Sequence, residues 1–200
     1  MLRLENLHIT FEKGTVEEKK ALRGLNLNLR EGDFVTIVGS NGAGKSTLFN
    51  AIGGKYQLDE GSIILDGKDI SGLAEHTRAQ EIGRLMQDPL RGTAPSLTIE
   101  ENLALAYGRR SKGGVFATNK KDLEYYKKLL SSLDLGLEDR MKTPMGNLSG
   151  GQRQAVTLLM CTIASPKLLL LDEHTAALDP VNAKKIVGIT ERMVRERKIT

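Results

Sequence analysis

Apolar residues alternate at the start of the chain: Leu2, Leu4, then Leu7, Ile9 and Phe11. That period of two predicts a half-buried strand with a slip near Asn6. Gly14 to Lys20 is polar and charged, as in a surface turn, before Leu25, Leu27 and Leu29 alternate again. Glu31-Gly32-Asp33 has turn chemistry. Phe34 to Val38 is continuous, apolar and β-branched, which predicts a buried central strand. It runs directly into Gly39-Ser40-Asn41-Gly42-Ala43-Gly44-Lys45-Ser46, and a helix is predicted from about Lys45, stopped by Gly53-Gly54. Ser62 to Leu65 followed by Asp66-Gly67 predicts a strand and a tight turn.

Ile82 to Met86 predicts a strand ending at Gln87. Beyond it the pattern becomes helical, with Leu123, Tyr126, Leu129, Leu130 and Leu133 on one stripe and Gly113-Gly114 marking a loop. This is the profile of an inserted helical subdomain. Val156, Leu159, Met160 and Ile163 fall at i, i+3, i+4, i+7 and predict a helix over 149–164. Pro166 follows it, and Leu168 to Leu171 predicts a second buried strand with Asp172-Glu173 at its C-terminal edge.

Composition narrows the picture. The 200 residues suffice for one domain with a substantial core. With aromatics at 4% and no Trp, that core rests on Leu, Ile, Val and Ala. The formal charge of +4 suits an anionic small ligand but is too small and dispersed to indicate nucleic acid. Cys161 has no Cys or His partner at metal-ligand spacing and reads as a small apolar filler on a helix. Met1 to Glu5 lacks the form of a secretory signal. No apolar run approaches the about 20 residues that cross a bilayer, so a membrane role requires a partner.

Gly39 to Ser46 matches G-x-x-x-x-G-K-[ST] in full, strand before and helix after. Its glycines let backbone amides converge on phosphate oxygens. Lys45 supplies a point charge for the β- and γ-phosphates, and Ser46 can place its hydroxyl on Mg2+. The helix N-terminus adds partial positive charge. Asp172 ends a buried strand, where a magnesium-holding carboxylate belongs, and Glu173 can polarise the attacking water. Alone, the two acids after four leucines would read as a strand end meeting solvent; it is the phosphate loop beside them that favours the magnesium role. Leu148-Ser149-Gly150-Gly151-Gln152 precedes a helix, with Ser149 a natural N-cap.

Taken together and in this order, these three elements resemble the Walker A, signature and Walker B motifs of ABC-family ATPases, over essentially the whole chain. The resemblance implies an α/β fold: a P-loop NTPase core of mainly parallel sheet flanked by helices, an N-terminal antiparallel β subdomain and an inserted α-helical subdomain. Residues 1–87 and 150–200 form the ATP-binding core, and about 88–149 the helical subdomain. It implies an ATP-binding, ATP-hydrolysing subunit of a membrane transporter, with ATP and Mg2+ as ligands. Thr47 joins Gly39 to Ser46 in holding nucleotide. Phe11 takes the place of the aromatic that stacks on adenine, a core Phe being the other reading. Gln87 matches the Q-loop glutamine that contacts magnesium and the attacking water. Ala177-Leu178-Asp179 is similar to the D-loop, which places Asp179 at a dimer interface.

In such ATPases the site is composite: ATP on one phosphate loop is capped by Ser149 and Gly151 of a second copy. The implied partners are that copy, transmembrane permease subunits and an extracytoplasmic substrate-binding protein. The implied location is the cytoplasmic face of the membrane, held peripherally. A lone ATPase chain favours an importer. The alternatives are a soluble ABC ATPase, such as a metal-cluster assembly factor, and a module that closes on ATP but hydrolyses poorly.

Three departures stand out. His174 replaces the usual Pro after the catalytic Glu, as in a subset of bacterial importer ATPases paired with a binding lipoprotein. Ala155 replaces a frequent Arg, a change expected to alter only a surface contact. The family's switch histidine is expected beyond Thr200, since His8, His76 and His174 stand elsewhere. The chain is thus expected to end inside that strand, at Lys198-Ile199-Thr200, and to turn over ATP weakly. Asn119-Lys120-Lys121-Asp122 matches N-K-x-D but reads as a polar helix start. Arg109, Arg110, Lys112, Lys120, Lys121, Lys127 and Lys128 form either a solvated face or a contact for acidic lipid or a permease loop.

Overall fold

The computed structural model describes residues 1–86, 88–108, 120–173, 175 and 178–200, and all but the side chains of Pro89 and Arg91 among them. Gln87, Arg109, Arg110, Lys112, Gly113, Gly114, Asn119, His174 and Ala177 lie outside the described residues. The chain forms two compact units, residues 1–82 with 198–200, and residues 83–197.

The first unit is built on an antiparallel sheet. β1 (Leu2–Phe11) lies between β2 (Lys19–Leu29) and β3 (Glu60–Leu65), and β4 (Lys68–Asp69) closes the order β2-β1-β3-β4. Leu2, Leu4, Leu7 and Ile9 are buried, and the register shifts between Leu4 and Leu7 where Asn6 holds φ 50°. The predicted slip is therefore a bulge that keeps the apolar set on one face. Asp66 and Gly67 both take positive φ in the turn joining β3 and β4. α1 (Lys45–Gly53) buries Leu48, Ala51 and Ile52 and stops at Gly54, as its sequence predicts. α2 (Glu75–Arg78) is a single turn.

Two strand expectations are overturned. Residues 34–38 form no strand, and Phe34, Val35 and Val38 are 65%, 50% and 90% exposed. Residues 198–200 form none either, although Ile199 is buried and Thr200 Oγ1 accepts from Gly32 N at 2.9 Å. β-propensity records fitness for a pleated surface; the ladder needs a paired neighbour, and among the described residues neither segment has one.

The second unit is mainly helical. β5 (Ile82–Leu85), which starts at the unit boundary, pairs with β6 (Leu168–Leu171). α3 (Ile99–Tyr107), α4 (Lys120–Ser131) and α6 (Pro180–Arg197) each pack against α5 (Gly150–Thr162). Leu103, Tyr126, Leu130, Leu133, Leu159 and Ile189 meet in its core. Burial pushes the Tyr126 phenol up to about 12. Ala155 is fully buried in this core, so the surface contact expected at its position does not exist. An apolar stripe on a helix marks the inward face only approximately, and α5 is buried on most of its circumference. Cys161 is buried, its Sγ 3.0 Å from Arg84 O, as a filler should be.

Candidate functional site

In the first unit the phosphate-loop residues 39–44 lead into α1. Gly44 is its N-cap at φ 90°, where a Cβ would meet Ala21 O at 2.6 Å, so only glycine allows this approach to β2. The first intrahelical bond runs from Leu48 N to Gly44 O, 2.8 Å. The amides of Lys45, Ser46 and Thr47 therefore precede the helical ladder, with no side-chain cap and no acidic residue in that turn. Such an end attracts anions. Lys45 Nζ donates to Gly39 O at 2.6 Å and Ser40 O at 3.1 Å, folded back over its own loop. Asn41, Gly42 and Ala43 are exposed on that loop, as is Ser46.

Phe11 is half-buried and meets Tyr56 edge-to-face, centroids 5.3 Å apart. Tyr56 is tied in turn to the end of α1, its amide donating to Asn50 O at 3.3 Å. Lys19 pairs across the strands with Phe11, and its Nζ lies 3.7 Å from where a Cβ on Gly42 would sit. Asp59 accepts from Lys13 at 2.8 Å and Thr10 N at 2.7 Å, and that ammonium holds its carboxyl below the usual range. Sequence reasoning missed Tyr56 and Lys19. The only available signal was the strand register that sets Lys19 opposite Phe11.

In the second unit Ser149 caps α5: its Oγ accepts from Gln152 N at 3.3 Å, and Gln152 Oε1 accepts from Ser149 N at 3.2 Å. Leu148 is buried and Gly150 exposed. Arg153, also missed, donates to Met145 O, Gly146 O and Leu148 O and fixes the turn before the motif. Asp179 caps α6, accepting from Val181 N and Asn182 N, each at 3.1 Å, and from Asn182 Nδ2 at 2.6 Å. The bond from the Asn182 side chain lowers the carboxyl's pKa. A Cβ on Gly151 would lie 3.0 Å from Asn182 Oδ1, and one on Gly150 would lie 3.5 Å from Leu178. The 148–152 motif and the 178–182 segment are thus packed together.

Asp172 is half-buried at the end of β6, its amide donating to Leu85 O at 3.1 Å. Glu173 is exposed and holds φ 43°, a left-handed backbone it shares with Asn6 and Asp66. Of the predicted site residues, the structure groups 39–47 with Phe11, and separately 148–152 with Asp179. Among the described residues no cluster of His, Cys, Asp and Glu is arranged to hold a metal.

Comparison with known proteins bears on the family and the fold. The family model described as ABC transporter matches residues 22–176. The chain is 42% identical to the tyrosine transport ATP-binding protein of Clostridioides difficile strain R20291, covering 100% of this chain and 80% of that protein. It is 36% identical to the xylose/arabinose import ATP-binding protein XylG of Sulfolobus acidocaldarius, over 98% of this chain and 74% of that one. Among solved structures it is similar to the dimeric post-hydrolysis ATP-binding cassette MJ0796 bound to ADP and Pi. That match has a TM-score of 0.82 at 29% identity, covering 100% of this chain and 85% of the other.

Proposed function

This chain belongs to the ABC transporter family, and on that footing we propose that it is the ATP-hydrolysing subunit of an importer, acting as a dimer. The observation that carries the reading is the open, acid-free start of α1, with Lys45 and Ser46 as its first two residues. Nucleotide draws the Lys45 ammonium away from Gly39 O and Ser40 O onto its β- and γ-phosphates, while the loop amides take the remaining oxygens. Phe11, braced by Tyr56, stacks on adenine. Ser46 and Asp172 offer hard oxygen ligands of the kind Mg2+ takes, and when bound the ion neutralises phosphate charge. Glu173 accepts the proton of the attacking water, with Gln87 assisting. Ser149 and Gly151 of a second copy cap the γ-phosphate: the Ser149 oxygen accepts in its own cap, which leaves its O–H free to donate. Asp179 lies at the same dimer interface.

Residues 1–87 and 150–200 serve as the ATP-binding core and about 88–149 as the helical subdomain that meets the permease. Among the described residues no helix is long and apolar enough to cross a membrane. Attachment to the cytoplasmic face through permease subunits accounts for the transport reading. The import and transport functions named for its relatives support the direction, and an extracytoplasmic binding protein completes the assembly.

The test is Mg-ATP hydrolysis by the purified protein and by Glu173→Gln, together with what copurifies from membranes. Weak, Glu173-dependent turnover by the 200-residue chain and a copurifying polytopic permease are the expected results, and brisk turnover overturns the expectation of weak activity. Turnover indifferent to Glu173, or a soluble scaffold in place of the permease, overturns the reading.

A further inference from the structure

We propose that Arg78 is a positioning residue for the phosphate loop, acting through the far end of α1. Its side chain is 4% exposed, and its guanidinium is spent on backbone carbonyls. Nη1 donates to Ala51 O at 2.8 Å and Ile52 O at 3.0 Å, Nε to Leu73 O at 2.9 Å, and Nη2 to Ser71 O at 2.7 Å. Ala51 and Ile52 are in the last turn of α1, whose carbonyls have no partner within the helix. Asn50 O is taken by the Lys55 and Tyr56 amides, and Ala51 O also receives Gly54 N. Among the described residues Arg78 is the donor that reaches Ile52 O. α1 carries no basic residue in its own last turn, so the cation that complements its negative end comes from α2.

The other two bonds tie that end to the sheet. Ser71 Oγ accepts from Ile63 N of β3 at 2.8 Å and donates to Asp69 of β4 at 2.6 Å. Arg78 therefore links the last turn of α1 to the β3–β4 corner. Gly54 makes room for the link: at φ 87° a Cβ there would stand 2.9 Å from Arg78 Nε. Because α1 is a short rigid rod with Lys45 and Ser46 at its opposite end, fixing one end sets where the ammonium and the hydroxyl meet phosphate. The guanidinium reaches four carbonyls from one planar fork, whereas a lysine ammonium has three donors on a single atom and cannot span the same set.

This inference rests on the phosphate-loop reading above, and its test separates the two. Binding of a fluorescent ATP analogue is measured for the protein, Lys45→Ala, Arg78→Met and Arg78→Lys. Amide hydrogen exchange across β1 and α1 is followed in parallel. The expected result is an affinity about 10-fold weaker in Arg78→Met, with faster exchange in α1 but unchanged protection in β1. Arg78→Lys should fall between that variant and the native protein, and it carries the test if Arg78→Met does not fold. Native affinity in the Arg78 variants overturns the proposal, as does a loss matched by equal loss of protection across β1. If the native protein binds no analogue, or Lys45→Ala binds it fully, the phosphate-loop reading itself falls.

Discussion

The starts of α1 and α5 are both glycine-bearing motifs at the head of a helix, and they are finished in opposite ways. At α1 the N-cap is Gly44, which has no side chain to satisfy the first amides, and no acid stands in the first turn. At α5 Ser149 and Gln152 close a reciprocal capping box, and Arg153 pins the preceding carbonyls. The first amides of α1 have no side-chain partner, whereas those of α5 are closed by its own residues. α1 lacks a cap that would stabilise it by about 1 kcal/mol, and the phosphate site proposed there requires those free amides. In the role proposed for it, capping a nucleotide held by a second copy, the 148–152 motif has to arrive rigid, and the box and the Gly151–Asn182 packing hold it so.

The contrast can be broken from the α1 side first. Lys45→Ala removes the charge that the loop carbonyls now hold and should weaken ATP binding about 100-fold by calorimetry, two charge-assisted hydrogen bonds being lost. Thr47→Glu gives α1 the acidic first turn that α3 already has in Glu100 and Glu101. It should weaken ATP binding about 10-fold while raising the melting temperature slightly, since the same dipole that welcomes phosphate also welcomes carboxylate. A rise in affinity would sink the open-end account.

From the α5 side the effects are smaller. Ser149→Ala should cost about 1 kcal/mol in denaturant unfolding of the second unit and leave ATP affinity of the isolated subunit unchanged. ATP-dependent dimerisation, followed by light scattering, should be lost. The smallest effect is expected at Lys19→Met: affinity about 2- to 3-fold weaker at low salt, and a difference that fades as salt screens an exposed cation. A salt-independent change would mean that Lys19 acts by packing.

Much of this arrangement was legible in the residues. Ser149 with Gln152 three positions on, Gly53-Gly54 and Asp66-Gly67 each announce a local geometry, because their partners are within a few residues. The motif at 39–46 announces its chemistry for the same reason. The bond of Arg78 to α1 is not legible, since the two carbonyls it serves there are 26 and 27 positions away. The same holds for Tyr56 against Phe11, which no period or spacing brings together.

What the sequence determined by itself was therefore the set of local devices: the phosphate loop, the capped 148–152 motif, the helix stops and the family to which they belong. The tertiary structure decided whatever depended on a distant partner. Phe34 to Val38 has the composition of a strand but stands exposed, because a ladder is a property of two segments. Ala155 is buried although a surface contact was expected there, because what packs around α5 decides which positions meet solvent. Arg78 joins the nucleotide site through a helix end it does not belong to. Local hydrogen bonds are closed by neighbours in the chain, whereas burial and long-range pairing are closed only by the fold.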